Sequence, residues 1–301
     1  MSNGISLKTL FLGTSEFAVP SFRVTASRTQ LCGVLTQPDR PAGRGHKLRA
    51  TPVKTAAVEL GIPVFEPRSL REFAAQHADE GYDLFVLASY GRILPQLLLD
   101  IPKFGSFNVH PSLLPKYRGA TPIQTALLNG EPETGVTIML MDAGMDTGDV
   151  VLQERTPIDD DERYGELHDR LAAFGAQALS HALDLARSGH IPHYPQNGTP
   201  TLTKPLRKED LLIDWSWPAQ RIVNAVRAFA PSPGARANVQ GVQVKILRAR
   251  AGTASIAPVA AGTIVGTNGD AVTVRCGDGT VDVLELVPPN RAAQSGSAFA
   301  R

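Results

Sequence analysis

Asn108 and His110 close a short apolar run, "FNVH" (107–110), and a proline-bracketed turn, "PSLLP", follows at once. Side chains alternate along a strand, so these two share one face. An amide beside an imidazole offers hydrogen-bond donors to one developing negative oxygen, and the imidazole can also move a proton near neutral pH. The plainer alternative is a pair of polar caps satisfying loop backbone. A second cluster, "MDAGMDTGDV" (141–150), sets Asp142, Asp146 and Asp149 among glycines directly after another apolar run. Glycine permits backbone with positive φ, so these carboxylates are expected on a tight loop at the same sheet edge. There one of them orients His110 or takes up a proton; equally, they are turn formers or ligands of a divalent cation. Nothing nearby supplies further oxygen ligands in a recognisable loop pattern, so no metal is expected. The third stretch, "TQPDRPAGRGHKLRA" (36–50), carries Arg40, Arg44, Lys47 and Arg49 amid Pro and Gly. It exceeds the ~2–6 residues usual for a βα turn. Such a segment cannot pack a core; it is either a mobile loop tip or an arm that seeks phosphate.

The elements that must position these groups are legible from local texture. "TLFLG" (9–13), "LCGVLT" (31–36), "IPVFEP" (62–67), "YDLFVLASY" (82–90) and "FNVH" are short apolar runs bounded by Gly, Pro or Asp. Between them, "TPVKTAAVELG" (51–61) and "SLREFAAQHADEG" (69–81) open on Thr or Ser and stop at Gly, as capped helices do. Strand, helix, strand at this spacing predicts βαβ crossovers and a buried parallel sheet. "TGVTIMLMD" and "GDVVLQERTPI" read as a strand pair near the sheet's end, and residues 162–189 as one long amphipathic helix. Residues 190–210, rich in Pro, Gly and Thr without a period, read as a linker. After a helix at about 219–229 come short strands separated by glycine turns, which predict a small β-barrel. The expected fold is a Rossmann-like α/β domain over residues 1–189, the linker, and an OB-like β-barrel domain over 211–301.

The totals agree with that division. A chain of 301 residues, 43% apolar, can bury a large core and favours two domains. Formal net charge is +1, but from Thr201 onward twelve Lys/Arg stand against seven Asp/Glu, whereas the first two hundred residues carry eighteen against twenty-two. A basic final third fits a polyanionic partner; ordinary scatter of solvated charge explains it as well. Cys32 and Cys276 are the two cysteines, far apart and each in an apolar run, so both read as small buried side chains. The N-terminus shows no charged n-region or cleavable apolar stretch, and no apolar run approaches the ~18 residues that span a bilayer. A cytoplasmic location is expected. Gly13 in "FLGTSEF" stands alone, without the G-x-G-x-x-G spacing of a dinucleotide site, and no Gly-Lys-Ser/Thr closes a phosphate loop. His168 and His181 fall on the long helix and His190 and His193 in the linker, where metal binding is not expected. The tryptophans of "DWSW" (214–217) are expected to staple the last helix rather than to stack on bases.

Taken together, these motifs resemble the 10-formyltetrahydrofolate-dependent formyltransferases. The segment "FNVHPSLLPKYRGATPIQTALLNGEPETGVTIMLMDAGMDTGDV" is similar to their signature over its whole length. "TQPDRPAGRG", "IDWS" and the basic β-domain are similar to the branch that formylates methionyl-tRNA. The resemblance implies a catalytic trio of Asn108, His110 and Asp146, the motif selecting Asp146 over Asp142. It implies a folate site at Ser112, Leu113, Leu114 and Pro115, with Tyr90, Gly91, Arg92, Ile93 and Leu94 and the loop from Asp142 to Asp146 around the pterin. Arg40, Gly43, Arg44 and Lys47 match the loop that contacts the acceptor end of tRNA, and Phe17 lies near the methionyl group. Asn108 and His110 then donate to the oxyanion while Asp146 orients His110 and helps to relay a proton. The co-substrate would be 10-formyltetrahydrofolate, with no metal; the partner would be initiator methionyl-tRNA, with no membrane, and the chain a monomer. Pro111 stands where the family often has Gly, and Tyr117 where Trp occurs.

Overall fold

The computed structural model describes residues 6–42, 47–239, 241–253 and 258–301, with backbone alone at 41, 42 and 47. It divides into two compact units, each discontinuous in sequence. The first comprises Met1–Gly119, Thr134–Thr156 and Asp169–Leu202; the second comprises Ala120–Glu133, Pro157–His168 and Thr203–Arg301.

The first unit begins with β1 (Lys8–Gly13), α1 (Ala18–Arg28) and β2 (Gln30–Leu35). Next come β3 (Arg40–Ala42), β4 (Lys47–Arg49), α2 (Pro52–Glu59), β5 (Val64–Phe65) and α3 (Leu70–His77). Then follow β6 (Leu84–Ala88), α4 (Gln96–Leu99), β7 (Ser106–His110) and β8 (Arg118–Gly119). Both expected helix caps form. Thr51 accepts from the Lys54 N–H and Ser69 from the Glu72 N–H, each at 3.2 Å, satisfying donors that a helix start leaves orphaned. Within the basic stretch after β2, residues 40–42 and 47–49 form strands that its composition does not predict. β3 and β4 pair antiparallel, Arg40 opposite Arg49, which no apolar alternation announces.

β9 (Glu133–Leu140) and β10 (Val150–Pro157) complete a seven-stranded sheet in the order β10-β9-β7-β6-β1-β2-β5. β7, β6, β1, β2 and β5 run parallel, whereas β9 runs antiparallel to β7. Because of that reversal, the acidic loop leaves β9 opposite Phe107, not beyond His110. It must return over the face that Asn108 and His110 share. The other face of β7 is taken by α6 (Tyr164–Arg187): a side chain at Gly175 would meet Val109, so the helix and strand approach there without one. Leu10, Leu12, Leu35, Phe85 and Leu98 are essentially sealed from solvent in the core on the sheet. Each such side chain contributes about 1.5–3 kcal/mol of burial, which is what holds polar strand ends in place.

In the second unit, α5 (Pro122–Leu128) packs against α7 (Ala219–Phe229). Beyond β11 (Leu202–Thr203) and a single 3-10 turn lie β12 (Ala235–Val239), β13 (Val242–Ala251), β14 (Ile264–Asn268), β15 (Ala271–Arg275), β16 (Thr280–Val287), β17 (Gln294–Ser295) and α8 (Gly296–Ala300). The described strands form one antiparallel sheet in the order β12-β13-β16-β15-β14, with β17 beside β16. Trp215 is buried and donates its indole N–H to the Asn238 carbonyl at 2.8 Å, while Arg221 of α7 lies over the Trp217 ring at 4.0 Å.

Candidate active site

Asn108 and His110 sit on the last turnless stretch of β7, buried to 7% and 4% exposure. Asn108 lies between Leu87 of β6 and Met139 of β9, and His110 opposite Thr137. The Asn108 side-chain amide donates to Asp146 Oδ1 at 3.3 Å, and His110 Nδ1 stands 3.7 Å from Asp146 Oδ2. The three residues expected to act together are therefore brought together. Asp146 itself adopts φ 54°, a left-handed conformation rare outside glycine. Its Oδ2 also accepts the Gly119 N–H at 2.7 Å. Two residues on, a Cβ at Gly148 would collide with the main-chain carbonyl of Leu140, so the loop closes on β9 only with glycine there.

The far side of the imidazole is fixed by backbone. His110 Nε2 lies 3.0 Å from the Tyr117 carbonyl, which can only accept, so Nε2 carries the hydrogen. In the neutral ring the lone pair is then on Nδ1, facing the carboxylate. Burial pushes the imidazole pKa below its ordinary value; the Asp146 charge and the Tyr117 carbonyl push less strongly in the opposite direction. With its pKa held below the ordinary value, the imidazole is neutral at neutral pH and its Nδ1 can accept a proton.

The "PSLLP" turn is braced from beneath. Ser112 is buried and donates to the Lys116 carbonyl at 2.6 Å. Thr137 Oγ1 donates to the Ser112 carbonyl at 2.7 Å and accepts the Leu114 N–H at 3.2 Å; Gln153 donates to the Leu114 carbonyl at 3.0 Å. Leu114 and Pro115 are buried and Leu113 half-buried. The segment after β6 is held by its main chain. The Tyr90 carbonyl accepts from Thr14 Oγ1 at 2.9 Å and Gln37 Nε2 at 2.8 Å, and Gly91 has φ 80°. Arg92 is turned away, donating to the Pro67 and Arg68 carbonyls at 2.8 and 3.1 Å. Leu94 is buried, but Ile93 is 95% exposed, an apolar side chain presented to solvent. Asp142 closes a local turn, accepting from the Gly144 N–H at 3.0 Å and Thr147 Oγ1 at 2.6 Å.

The remaining expected residues lie apart from the trio's contacts. Phe17 is buried at the start of α1. Arg40 is exposed and bonds to Gln37 Oε1. Gly43 and Arg44, and the Lys47 side chain, lie outside the described residues. Gln196 and Thr201 are neighbours of the site that sequence reasoning missed: Gln196 donates to the Asp146 carbonyl at 2.8 Å, and Thr201 accepts the Tyr117 N–H at 2.7 Å. Their partners are tens of residues distant and they stand in an aperiodic stretch, so no local signal marks them. Among the described residues, no three His, Cys, Asp or Glu side chains gather as a metal-binding group, and no helix is long and apolar enough to cross a membrane.

Residues 7–183 match the model of the formyl transferase family, and residues 205–301 that of the formyl transferase C-terminal domain. A methionyl-tRNA formyltransferase of Pelobacter propionicus is 45% identical over 294 residues, covering 96% of this chain and 91% of the relative. The chain belongs to the methionyl-tRNA formyltransferase family. Solved structures of similar fold include HypX from Aquifex aeolicus in complex with tetrahydrofolic acid, with TM-score 0.66 and 18% identity. That match covers 98% of this formyl transferase but 47% of HypX, so the chain spans about half of that protein's length. An N-formyltransferase from Helicobacter canadensis, in complex with folinic acid and dTDP-3-aminofucose, matches with TM-score 0.68 and 19% identity over 93% of this chain and 99% of the other.

Proposed function

We propose that this protein transfers the formyl group of 10-formyltetrahydrofolate to the α-amino group of methionyl-tRNA, with the initiator form as its acceptor. The observation that carries the reading is the convergence of Asn108, His110 and Asp146 on one buried face, in a chain related over nearly its full length to methionyl-tRNA formyltransferases. The neutral amine attacks the formyl carbon, and the carbonyl electron pair moves to oxygen. An amide nitrogen has two hydrogens; Asn108 directs one to Asp146 and offers the other to that oxyanion. His110 gives its Nε2 hydrogen to Tyr117, so Nδ1 handles the proton. It takes the proton lost by the new C–N bond's nitrogen, becomes an imidazolium paired with Asp146, and returns the proton to N10 as the C–N10 bond breaks. No covalent enzyme intermediate is required.

The braced turn from Ser112 to Pro115 forms a rigid wall for the folate, and the main chain from Tyr90 to Leu94 with the exposed Ile93 side chain forms another. The turn at Asp142 closes the pterin side. Phe17 bounds the methionyl pocket. Arg40, with Gly43, Arg44 and Lys47, meets the acceptor end of the tRNA, and the basic C-terminal region binds phosphates, so affinity falls with salt. Functionally the chain divides into residues 1–189 for catalysis, 190–210 as the connecting stretch and 211–301 for tRNA. It works as a cytoplasmic monomer.

The test is formyl transfer from 10-formyltetrahydrofolate to charged initiator methionyl-tRNA, with elongator methionyl-tRNA and His110→Ala enzyme as controls. Selective formylation that disappears with His110→Ala is expected. Folate turnover that formylates an amino-sugar nucleotide and not tRNA would overturn the acceptor, and equal rates on both tRNAs would overturn the initiator preference.

A further inference from the structure

The stretch after α6 contains no catalytic group, yet it touches the backbone of Asp146 and of Tyr117, whose carbonyl holds His110. Gln196 uses both hydrogens of its amide nitrogen, one on the Asp146 carbonyl and one on the Gly148 carbonyl, each at 2.8 Å. Its oxygen accepts from Arg118 Nε and Nη2 at 3.1 and 2.7 Å. Every partner fixes the same orientation of the amide, because a flipped side chain would set oxygen against two carbonyls and nitrogen against a guanidinium. Arg118 directly precedes Gly119, whose N–H holds Asp146 Oδ2. The carboxylate and main chain of Asp146 are thus tied into one closed ring of hydrogen bonds, which keeps a non-glycine residue at positive φ.

The same stretch sets the other side of the site. Thr201 Oγ1 accepts the Tyr117 N–H at 2.7 Å, the Thr201 carbonyl accepts the Arg118 N–H at 2.9 Å, and the Thr201 N–H donates to the Pro115 carbonyl at 3.2 Å. These bonds orient the Tyr117 peptide, whose carbonyl holds His110 Nε2. Two further ties fix the register: Tyr194 exchanges backbone hydrogen bonds with Val150 at 2.8 and 3.0 Å, and His193 Nδ1 meets Asp149 Oδ2 at 2.7 Å.

We propose that Gln196 and Thr201 are positioning residues for formyl transfer, Gln196 acting through Asp146 and Thr201 through the Tyr117 carbonyl on His110. This rests on the catalytic reading of the trio. Replacing Gln196 by alanine releases the Asp146 loop. A displacement near 1 Å at a reacting centre costs up to about a hundredfold in rate, so Gln196→Ala should lower kcat by about tenfold or more while each KM stays within about twofold. Because the effect passes through Asp146, it should be grossly non-additive: in an Asp146→Asn background the same substitution should lower kcat little further.

The experiment measures kcat and KM for Gln196→Ala alone and with Asp146→Asn, and follows the His110 ring by NMR titration in the unliganded protein. Loss of the carboxylate's hold should move the His110 midpoint down in Gln196→Ala, as it should in Asp146→Asn. An equal kcat loss in both backgrounds, or an unmoved His110 midpoint, would overturn the role of Gln196. Should Gln196→Ala fail to fold, the Thr201 pair decides. Thr201→Val should lose rate and shift the His110 midpoint, whereas Thr201→Ser keeps the hydroxyl and recovers most of both; no difference between the two overturns the proposal. The NMR midpoint needs no acceptor, so a wrong acceptor assignment and a wrong positioning role fail in different measurements.

Discussion

Asp146 and Asp282 are both carboxylates with several donors, one in each unit, and they are held for opposite ends. Asp282 is 2% exposed on β16; Oδ1 accepts from Thr273 at 2.7 Å, and Oδ2 from Asn268 at 2.9 Å and Arg250 at 3.3 Å. Its partners come from the two strands beside it, β13 and β15, and from the end of β14 one strand further on, so the group is saturated within its own sheet. The main-chain carbonyl of Asp146 is held by Gln196 and its carboxylate oxygens by Asn108 and Gly119, and that carboxylate faces an imidazole 3.7 Å away, a separation that leaves the ring's lone pair unengaged. The Asp282 carboxylate is closed off by donors of its own sheet; the Asp146 carboxylate, although it also has a donor on each oxygen, keeps a side toward a titratable ring.

The largest expected effect tests the working half. Asp146→Asn and His110→Ala should each lower kcat about a hundredfold or more, the usual scale for a positioned acid–base group. Asn108→Ala should cost about 2.7–4 kcal/mol of barrier, the scale of a lost oxyanion donor. Steady-state formylation measures all three, and unchanged melting temperatures separate them from misfolding. Asp282→Ala should do the reverse, losing about 1–3 kcal/mol of stability through unsatisfied Thr273 and Asn268 while turnover of the folded fraction stays near wild type; urea denaturation measures the first. A large catalytic loss in Asp282→Ala would erase the distinction.

A smaller effect sharpens it. The His110 ring should titrate below the ordinary imidazole value of about 6.5, since burial outweighs the neighbouring carboxylate. Asp146 raises the midpoint, so Asp146→Asn should move it further down; a midpoint above the ordinary value in the parent protein would show that the carboxylate dominates. The sign carries to stability: the unfolded ring binds its proton more readily, so His110 lowers stability as pH falls through the unfolded value. The least effect is expected where carboxylates meet solvent. Lys54 bridges Asp39 at 2.8 Å and Glu66 at 2.9 Å, and those partners hold its pKa above the ordinary lysine value. Lys54→Ala should nonetheless cost only about 0–1 kcal/mol, the range of exposed ion pairs.

What the sequence made legible follows the range over which each signal acts. The capped helices α2 and α3 and the apolar strands β1, β2, β6 and β7 were readable because their signals are local: a side-chain acceptor at the first turn, a glycine at the last, a run without charge. Asn108 and His110 stood out because polar residues interrupt such a run. The direction of β9 was not readable, since an apolar strand looks the same run either way, and with it went the path of the acidic loop. Asp142 and Asp146 were indistinguishable by spacing; only the resemblance separated them. The fold shows the difference, with Asp142 spent on its own turn and Asp146 gathered by Gly119 and Gln196. The β3–β4 ribbon has no alternation to announce it, and the ties from Gln196 and Thr201 reach across some fifty to eighty residues.

The closure at Gly148 has a consequence for anyone who would randomise this loop. Its neighbour is a main-chain carbonyl of β9 and not a side chain that can turn aside. A selection for activity across residues 142–149 should therefore tolerate variety at the solvent-facing Met145 but return glycine at 148, and a blind codon library spends most of its members there on proteins that cannot close the loop.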